Sequence, residues 1–575
     1  MKNHQKISQY VLASLLCASG YVHAQDINLP GSGSSTTSQQ STSKLDAPPK
    51  PSIDVKEKQE KTENQVILGS SGIAYPITSI EFKGNESIES QVLQNALKSS
   101  ELGAQQKLTF KQIIALSDVI TSYYRQHGYM VAKAVIPEQD ITAGTLTIQI
   151  LEGRLDSVQV NSPSPEVKER VQEIINAQLP NGSTIERDQV FRAINVASES
   201  TGQTIKVDLE AAEKLGGTRV EVNTQELPSY YGSISADNFG TASTGKYNFI
   251  GTLGFNSLLT MGDKLIVQLG TTDQTNLSYR YDFNYLVPVG NDGWSVGARL
   301  WKSTYQVGSD FSALNPYGYS QAAGLSAAYA LTRSENSRID WRFGYNQVNL
   351  SENYLDGAVT NPRKADVLWT DIGGNYLDNY LGTQANTNWL LNVTSGYLTI
   401  DPSSYNYQNQ TTAGTYSLFS YQFSREQMVD SGLSVFGNLR GQFADKNLDS
   451  YHKFNIGGPL AVRAYPMGEI TGDDAVLGTI ELRYTQAFNF DGKSSYFRLA
   501  GFYDSAWARI NHDPLDNQTT DNSAVLSGYG LELDVGIGKN ILGRLYAAKS
   551  TSMNYGNSHI DNATSRVGIQ MTIGF

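Results

Sequence analysis

Cysteine is almost absent from this chain, whose 575 residues include only Cys17. Cys17 lies in a short apolar run, residues 7–18, which follows a weakly basic start and precedes small residues at 22–24. This arrangement is typical of a secretory signal peptide, residues 1–24, with cleavage after Ala24. The mature chain would then lack cysteine, which excludes thiol catalysis, a disulfide framework and a thiolate zinc site.

Charged side chains are also scarce, because Asp, Glu, Lys and Arg make up 17% of the residues, against about 25% in a typical soluble domain. The formal net charge is −12. Phosphate contacts require clustered Lys and Arg, and no such cluster is present, so the composition excludes a nucleic-acid-binding protein. At 575 residues the chain is also too long for one hydrophobic core, and several domains are expected.

Long apolar runs are missing beyond the signal peptide, so no transmembrane helix is predicted. An exported chain of this kind could enter a membrane only as a closed β-barrel, because lipid offers the backbone no hydrogen-bond partners. Residues 25–72 are poor in apolar side chains, with Gly, Ser, Thr and Gln at 31–44 and a proline-rich stretch at 47–51. They predict a flexible linker, with a short helix within residues 54–68 as the alternative.

Two modules with the same order of elements follow the linker. Residues 73–154 and residues 155–227 each show one strand, two helices and two closing strands, with Phe82 and Val160 at matching positions. An internal repeat of this size indicates two small α+β modules in series. The predicted helices are 87–99, 109–127, 166–179 and 186–200, and the predicted strands are 77–82, 129–136, 144–151, 155–160, 205–209 and 219–223.

After Pro228 the helical period disappears, and segments of about ten residues alternate apolar and polar side chains. Residues 277–285, 338–345 and 566–575 are the clearest examples. In an exported chain, such strands fit a transmembrane antiparallel β-barrel better than a soluble β-sandwich. Residues 228–575 allow 16 strands at about 22 residues per strand and connection, with 14 or 18 strands as the alternatives.

The last strands can be counted backward from Phe575, which an even-stranded barrel with periplasmic modules places in the periplasm. Residues 444–475 then connect two strands on the external side. This segment is too long for an ordinary connection and contains Tyr, Phe, Val, Leu and Pro, so we expect it to be ordered and inserted into the barrel lumen. The predicted last strands are 476–488, 496–510, 525–537, 541–550 and 563–575.

Strand parity then selects partners for Arg463, the arginine of this segment. With Leu499 facing lipid, Phe502 and Asp504 face the lumen, and the same alternation turns Glu481 inward. A buried arginine requires a carboxylate, because an unpaired buried charge costs several kcal/mol, so Asp504 and Glu481 are the candidate partners. The alternative is that Arg463 points from an external loop into solvent, as most loop arginines do.

The residues around Arg463 resemble a known motif. Val462, Arg463, Ala464 and Tyr465 are similar to the inserted-loop tetrad Val-Arg-Gly-Tyr of the two-partner secretion outer-membrane transporters (TpsB), the haemolysin and filamentous-haemagglutinin secretion/activation family. Residues 502–504, Phe-Tyr-Asp, are similar to the family's wall motif, whose aspartate pairs with the loop arginine. The resemblance covers nearly the whole mature chain, and the two modules resemble POTRA domains.

Two features depart from the family pattern. Ala464 replaces the glycine of the tetrad, so a backbone that required positive φ at this position would be strained. Many members of the family have an N-terminal helix that plugs the pore, and in this chain only residues 54–68 could form one.

The resemblance implies an outer-membrane translocator of a Gram-negative bacterium, with both POTRA-like modules in the periplasm. It would recognise one large exoprotein (TpsA) by strand addition to the modules and export it without a cofactor or a catalytic step. The exported passenger could be an adhesin, a cytolysin or a contact-dependent toxin. Phe575 would be the C-terminal signal for the barrel-assembly machinery, and outer-membrane lipid would surround the barrel.

Two other classes are the alternatives. A barrel-assembly insertase has the same parts but usually carries more POTRA domains than the two predicted here. A barrel hydrolase would keep its site near the outer rim, where His452 and His512 are expected, although the chain contains no His-Glu-x-x-His motif.

Overall fold

The computed structural model describes residues 52–56, 74–102, 107–241, 244–274, 278–307, 315–405, 407, 411–515, 522–555 and 564–575. The predicted signal peptide and most of the predicted linker lie outside the described residues. None of the helices within these ranges combines the length and the apolar character needed to cross a membrane.

The first module is a small sheet covered by two helices. The described chain begins with β1 (Ser52–Lys56), which belongs to the sheet of the second module. The first module then comprises β2 (Ala74–Pro76), β3 (Ser79–Lys83), α1 (Ser90–Lys98), β4 (Lys107–Thr109), α2 (Phe110–Gln126), β5 (Lys133–Val135) and β6 (Thr145–Leu151). β6 is the central strand, parallel to β3 and antiparallel to β5. Residues spaced three or four apart on α2 face this sheet and are buried with its inner residues, as the helical period predicts.

The second module repeats this arrangement. Its elements are β7 (Arg154–Asn161), α3 (Pro165–Gln178), α4 (Arg187–Thr201), β8 (Gln203–Ala211) and β9 (Gly217–Glu226). β9 is the central strand, parallel to β7 and antiparallel to β8. The order β-α-α-β-β is therefore present twice, as the internal repeat predicts.

The strand β1 differs from the sequence prediction. Residues 52–56 fall within the predicted flexible linker, and partly within the alternative helix, yet they pair in parallel with β8 and extend the second module's sheet to four strands. Ile53 packs against the core of that module, which supplies the apolar contact that the composition of the linker as a whole does not predict.

Residues 230–574 form the closed antiparallel barrel, confirming the predicted 16 strands. The long strands of the described chain are β10 (Tyr230–Asp237), β11 (Asn248–Asn256), β12 (Lys264–Thr272), β13 (Ser278–Val289), β14 (Trp294–Gln306), β15 (Tyr317–Arg333), β16 (Ser337–Tyr354), β18 (Arg363–Asp378), β19 (Ala385–Ile400), β20 (Gly414–Asp430), β21 (Leu433–Ala444), β24 (Asp474–Phe490), β25 (Lys493–Arg509), β26 (Ser523–Ile537), β27 (Ile541–Tyr555) and β28 (Ser565–Gly574). The short strand β17 (Val359–Thr360) pairs with β16, and β22 (Phe454–Asn455) pairs with β23 (Thr471–Gly472) inside one connection.

Twelve of the sixteen long strands exceed the ten residues expected from membrane thickness, and β16 reaches 18 residues. Continued pairing satisfies backbone groups beyond the lipid layer, so a ladder need not stop where the apolar alternation ends. Connections at the periplasmic end are short. The turn between β24 and β25 consists of Asp491 and Gly492, both with positive φ, which is the conformation that a two-residue hairpin requires.

The second module docks directly against the periplasmic turns of the barrel. Arg192 on α4 donates hydrogen bonds to the Ala330 carbonyl at 2.6 Å and to the Tyr329 hydroxyl at 3.1 Å, and it contacts the Asp292 carboxylate at 3.2 Å. In the turn before β12, Gly262 lies so close to α4 that a Cβ would be 2.1 Å from the Ser200 carbonyl oxygen. The docking therefore depends on backbone proximity as well as charge.

The barrel closes where β28 pairs with β10. The backbone amide of Phe575 donates to the Gly232 carbonyl at 2.9 Å, and the Gly232 amide donates back to Phe575 at 3.1 Å. The Phe575 side chain points outward and is 62% exposed, with its ring directly over Gly232. A Cβ at Gly232 would lie 2.5 Å from this ring.

We therefore expect Gly232→Val to weaken barrel closure by about 1 kcal/mol, the low end of the usual cost of overpacking, because the added side chain displaces the Phe575 ring, which is exposed and can move. The measurement is the fraction of purified protein that migrates as the folded band on unheated SDS gels, followed with temperature. Gly251→Val in β11 is the matched control, because a Cβ there meets no atom within 4 Å. Equal melting of the two variants would contradict the proposed contact.

Candidate functional site

The connection between β21 and β24, residues 445–473, enters the barrel lumen and is called here the inserted loop. It carries the β22–β23 hairpin, and a tight turn at its tip is closed by the Ala461 amide donating to the Gly458 carbonyl at 3.0 Å. The apolar side chains of the loop and of the lumen wall form one buried cluster, as the loop's apolar composition predicts. It comprises Phe454, Ile456, Ala461, Val462, Ala464, Tyr465 and Ile470 of the loop and Phe239, Ala475, Leu477, Phe502, Ala506, Ala508, Ala524, Leu526, Tyr546 and Ala548 around it.

Arg463 is buried at the tip of the inserted loop and contacts three carboxylates of the wall. Its Nε and Nη2 atoms each donate to Asp504 at 2.8 Å, and its backbone amide donates to the same carboxylate at 3.1 Å. Nη2 also lies 2.8 Å from Glu481, and Nη1 lies 2.9 Å from Glu532. All four side chains are almost fully buried, so the guanidinium is bound by fixed charges rather than by solvent.

Strand parity predicts two of these three carboxylates. Asp504 on β25, the thirteenth barrel strand, and Glu481 on β24 both face inward and lie against Arg463. The solvent-facing alternative for Arg463 is wrong, because its side chain is buried. Glu532 on β26 is not among the predicted partners, although the same alternation, with Leu531 facing lipid, would identify it.

Phe502 forms the floor under the guanidinium group. The Arg463 Cζ atom lies 3.4 Å from the centroid of the Phe502 ring, a cation–π contact in a buried setting. The ring fits because its neighbour across the ladder is Gly530, where a Cβ would be 2.5 Å from the ring edge. Glycine is therefore required at this wall position by a close approach.

The methyl group of Ala464 lies in the space that Gly528, a glycine of the barrel wall, leaves free. The Ala464 backbone does not adopt positive φ, so the strain expected from replacing the tetrad glycine is absent. A Cβ on Gly528 of β26 would lie 2.6 Å from the Ala464 Cβ. The Ala464 carbonyl also accepts a hydrogen bond from the Thr564 hydroxyl at 2.8 Å, which ties the tip to the end of the barrel ladder.

The contacts of Arg463 extend into a larger set of paired charges on the wall. Arg483 donates to Glu481 at 2.7 Å and to Glu426 at 3.0 Å, and Arg544 donates to Glu532 at 2.9 Å. Glu481 and Glu532 thus each have a second arginine. This lumen charge cluster comprises Glu426, Arg463, Glu481, Arg483, Arg498, Asp504, Glu532, Asp534 and Arg544.

The other two tetrad residues hold the tip by packing. Val462 and Tyr465 are both buried in the loop–wall cluster. The Val462 amide donates to the Ile456 carbonyl at 3.1 Å, and the Tyr465 amide donates to the Val462 carbonyl at 3.1 Å. These hydrogen bonds fold the tetrad backbone into a compact turn. The charged side chain of the tetrad is that of Arg463, which contacts the wall carboxylates.

The histidines considered for a hydrolase lie in structural contacts. His452 is buried, with its Nε2 atom 2.6 Å from the Tyr416 hydroxyl, and His512 Nδ1 lies 3.1 Å from Asp474. The sequence does contain one Gly-x-Ser-x-Gly pattern, residues 293–297, but it begins β14, where Ser295 sits within the barrel ladder rather than on a strand-to-helix turn. Among the described residues no group of His, Cys, Asp and Glu is arranged to hold a metal ion.

Together these parts define a class: an outer-membrane β-barrel transporter with two periplasmic modules and a loop fixed inside its lumen. The model of the haemolysin secretion/activation protein family ShlB/FhaC/HecB matches residues 216–535, and the model of the ShlB-type POTRA domain matches residues 75–153. The chain belongs to this family of two-partner secretion transporters. It is located in the outer membrane, with its POTRA modules in the periplasm.

Similar proteins and solved structures cover most of the chain, and the solved structures share its fold. The heme/hemopexin transporter protein HuxB of Haemophilus influenzae is 24% identical over 497 residues, which are 85% of this chain and 86% of HuxB. The structure of CdiB from Escherichia coli covers 88% of this chain and 92% of its own, with 18% identity and a TM-score of 0.67. CdiB from Acinetobacter baumannii covers 94% and 96%, with 16% identity and a TM-score of 0.60.

We expect Gly528→Ala to displace the loop tip, because its Cβ would overlap the Ala464 Cβ and overpacking costs about 1–3 kcal/mol. Thermal unfolding of the purified protein in micelles measures the effect. Ala464→Gly in the same chain should recover most of the loss, since the Lys549 carbonyl at 3.0 Å is then the remaining close contact. Gly478→Ala, where a Cβ meets nothing within 4 Å, is the control. A double variant as unstable as Gly528→Ala would refute the pairing.

Proposed function

We propose that this transporter exports one large TpsA-type exoprotein, which its modules capture in the periplasm and its barrel passes to the cell surface. The observation that carries the proposal is the contact of Arg463 with Asp504, Glu481 and Glu532, because it fixes the inserted loop within the space that a passenger must cross. The passenger would be an adhesin, a cytolysin or a contact-dependent toxin.

In this proposal the loop tetrad and the wall motif act as one latch. Val462 and Tyr465 hold the tip by apolar contacts, Ala464 fits against Gly528, and Arg463 supplies the charge that specifies one position on the wall. The lumen charge cluster suits this role because Arg483 and Arg544 keep Glu481 and Glu532 partly compensated whenever the loop moves.

The modules supply recognition. Each module presents sheet edges in the periplasm, and an unfolded passenger segment can add to such an edge through main-chain hydrogen bonds. No nucleotide is required, since folding of the passenger outside the cell gives the transport its direction. No catalytic step or cofactor forms part of the proposal. In the same proposal Phe575 is the signal read by the barrel-assembly machinery during insertion into outer-membrane lipid.

The insertase alternative differs in its consequences for the cell. Loss of a dedicated exporter should remove one very large protein from the culture medium and leave the outer membrane unchanged. Loss of an insertase should instead lower the amounts of many other outer-membrane barrels. Mass spectrometry of both fractions from cells with and without the gene separates the two functions, and unchanged fractions would contradict both.

We expect Arg463→Ala to abolish export while the barrel remains assembled. The substitution leaves the Asp504 carboxylate buried without a cationic partner at the loop tip, with hydrogen bonds from the Thr479 hydroxyl at 3.0 Å and from the backbone amide of residue 463 at 3.1 Å. Breaking a buried ion pair costs about 3–5 kcal/mol. The measurement is the amount of passenger in the medium relative to wild type, with folded barrel in the membrane determined by SDS-gel migration.

The matched control is Arg342→Ala, which also removes an arginine from a buried aspartate, Asp371, on β16 and β18 rather than on the strands β24 to β26 that bind Arg463. The described polar contacts of the inserted loop with β16 and β18 come from Asp449 and Ser450, outside the tetrad. This variant should export the passenger at close to the wild-type level. If Arg463→Ala exports normally, or if Arg342→Ala fails equally, the latch has no specific part in export.

A further inference from the structure

The ladder that closes the barrel, called here the seam, is shorter than the strand β28 that it holds. Five register pairs, from Ser233–Gly574 to Asp237–Gln570, join β10 to β28, whereas β27 and β28 share nine. Residues 565–569, at the outer end of β28, lie beyond the register pairs with β10. The outer part of the seam therefore depends on contacts other than a regular ladder.

Asn238, the residue after β10, continues the seam with its side chain. Its backbone amide donates to the Ile569 carbonyl at 3.2 Å. The Ile569 amide donates to the Asn238 Oδ1 atom at 2.8 Å, and the Asn238 Nδ2 atom donates to the Val567 carbonyl at 3.0 Å. The side-chain amide, which has one acceptor and one donor group like a peptide, thus takes the place of the next peptide group of β10 in the ladder.

The backbone leaves the barrel wall at this point because Asp237 turns it. The Phe239 amide donates to the Asp237 Oδ1 atom at 2.9 Å, and the same oxygen accepts a hydrogen bond from Asn248 Nδ2 at 2.6 Å. An aspartate that binds the amide two residues later forms a tight turn. Asp237, Asn238 and Phe239 are called here the closing triplet, since they turn the chain, extend the seam and enter the lumen, respectively.

The Phe239 side chain packs beside the tip of the inserted loop. It belongs to the same buried cluster as Ala464 and Tyr465. Its ring stacks on Tyr546 of β27, with centroids 6.0 Å apart and planes at 29°. Tyr546 in turn lies against Gly568 of β28, where a Cβ would be 2.0 Å from the tyrosine ring. The end of the first barrel strand therefore packs against the loop tip and the last strand in one cluster.

We propose that the closing triplet couples the seating of the loop tip to closure of the outer part of the seam. With the tip on the wall, Phe239 is held in the cluster, and its neighbour Asn238 is kept against β28. Withdrawal of the tip removes part of that cluster, so the contacts of Asn238 loosen while the five register pairs nearer the periplasm persist.

The coupling is reciprocal, because each contact that stabilises the closed seam also stabilises the seated tip. During assembly, the pairing of β10 with β28 brings Phe239 to the cluster and thereby favours the latched position of the loop. During export, which is the part of this inference that rests on the proposed function, release of the latch loosens the wall next to the space that the tip vacates.

Hydrogen exchange of the full-length protein in micelles, read at single residues by mass spectrometry, measures the coupling. Phe239→Ala should accelerate exchange of the Ile569 amide at least about tenfold over wild type, because the anchor of Asn238 is lost. Residues 571–574, which pair with the backbone of β10, should exchange as in wild type. Phe249→Ala, the same change at a 44% exposed position of β11, is the matched control and should leave the Ile569 amide unaffected.

The same amide tests the link from the side of the loop. Arg463→Ala, which releases the tip, should also accelerate Ile569 exchange at least about tenfold, and it decides the question by itself if Phe239→Ala yields no folded barrel. The double variant should exchange no faster than the faster single variant, because Phe239 is already free once the tip has left.

Unchanged Ile569 exchange in Arg463→Ala, or single effects that multiply in the double variant, would overturn the proposal. Asn238→Ala, which removes the acceptor of the Ile569 amide, shows the acceleration that full loss of this contact produces. The measurement requires no passenger. If wild type exports no partner, the function proposed above fails, and hydrogen exchange still decides whether the loop tip and the seam are coupled.

Discussion

One buried guanidinium group organises the lumen of this barrel. Arg463 is held by Asp504, Glu481 and Glu532 from three successive strands, so a single side chain of the inserted loop joins β24, β25 and β26. A charge in this environment is stable only when its partners are in place. The loop can therefore adopt this position only on a correctly paired barrel, and the wall carboxylates are best compensated only when the loop is present.

Two glycines of the barrel wall make room for this contact. Gly530 leaves space for the Phe502 ring beneath the guanidinium, and Gly528 leaves space for the Ala464 methyl group. The charge fixes the position of the tip, and the two glycines allow the loop to approach closely enough for the charge to pair. At the other end of the barrel, the contact of Arg192 with the periplasmic turns places the second module directly at the entrance. Specific contacts therefore join the second module to the barrel at its periplasmic end, and the inserted loop to the wall inside the lumen.

Much of this arrangement follows from the sequence. Period-two alternation locates the last barrel strands to within a few residues, and the same alternation correctly turns Asp504 and Glu481 toward the lumen. The pairing of β1 with β8 could not be predicted, because five residues with two apolar side chains give no signal until a sheet edge is available to receive them. The fit of Ala464 against Gly528 could not be predicted either, because the two residues are far apart in sequence and only the folded loop brings them into contact.

The most direct test of the central contact is a double-mutant cycle on Arg463 and Asp504, measured by equilibrium unfolding of the barrel in lipid vesicles. Arg463→Ala, Asp504→Ala and the double variant give the coupling free energy between the two side chains. A buried, hydrogen-bonded pair of this geometry predicts a coupling of at least about 1 kcal/mol. Additivity of the two single effects to within about 0.5 kcal/mol would show that the residues do not act together and would contradict the latch.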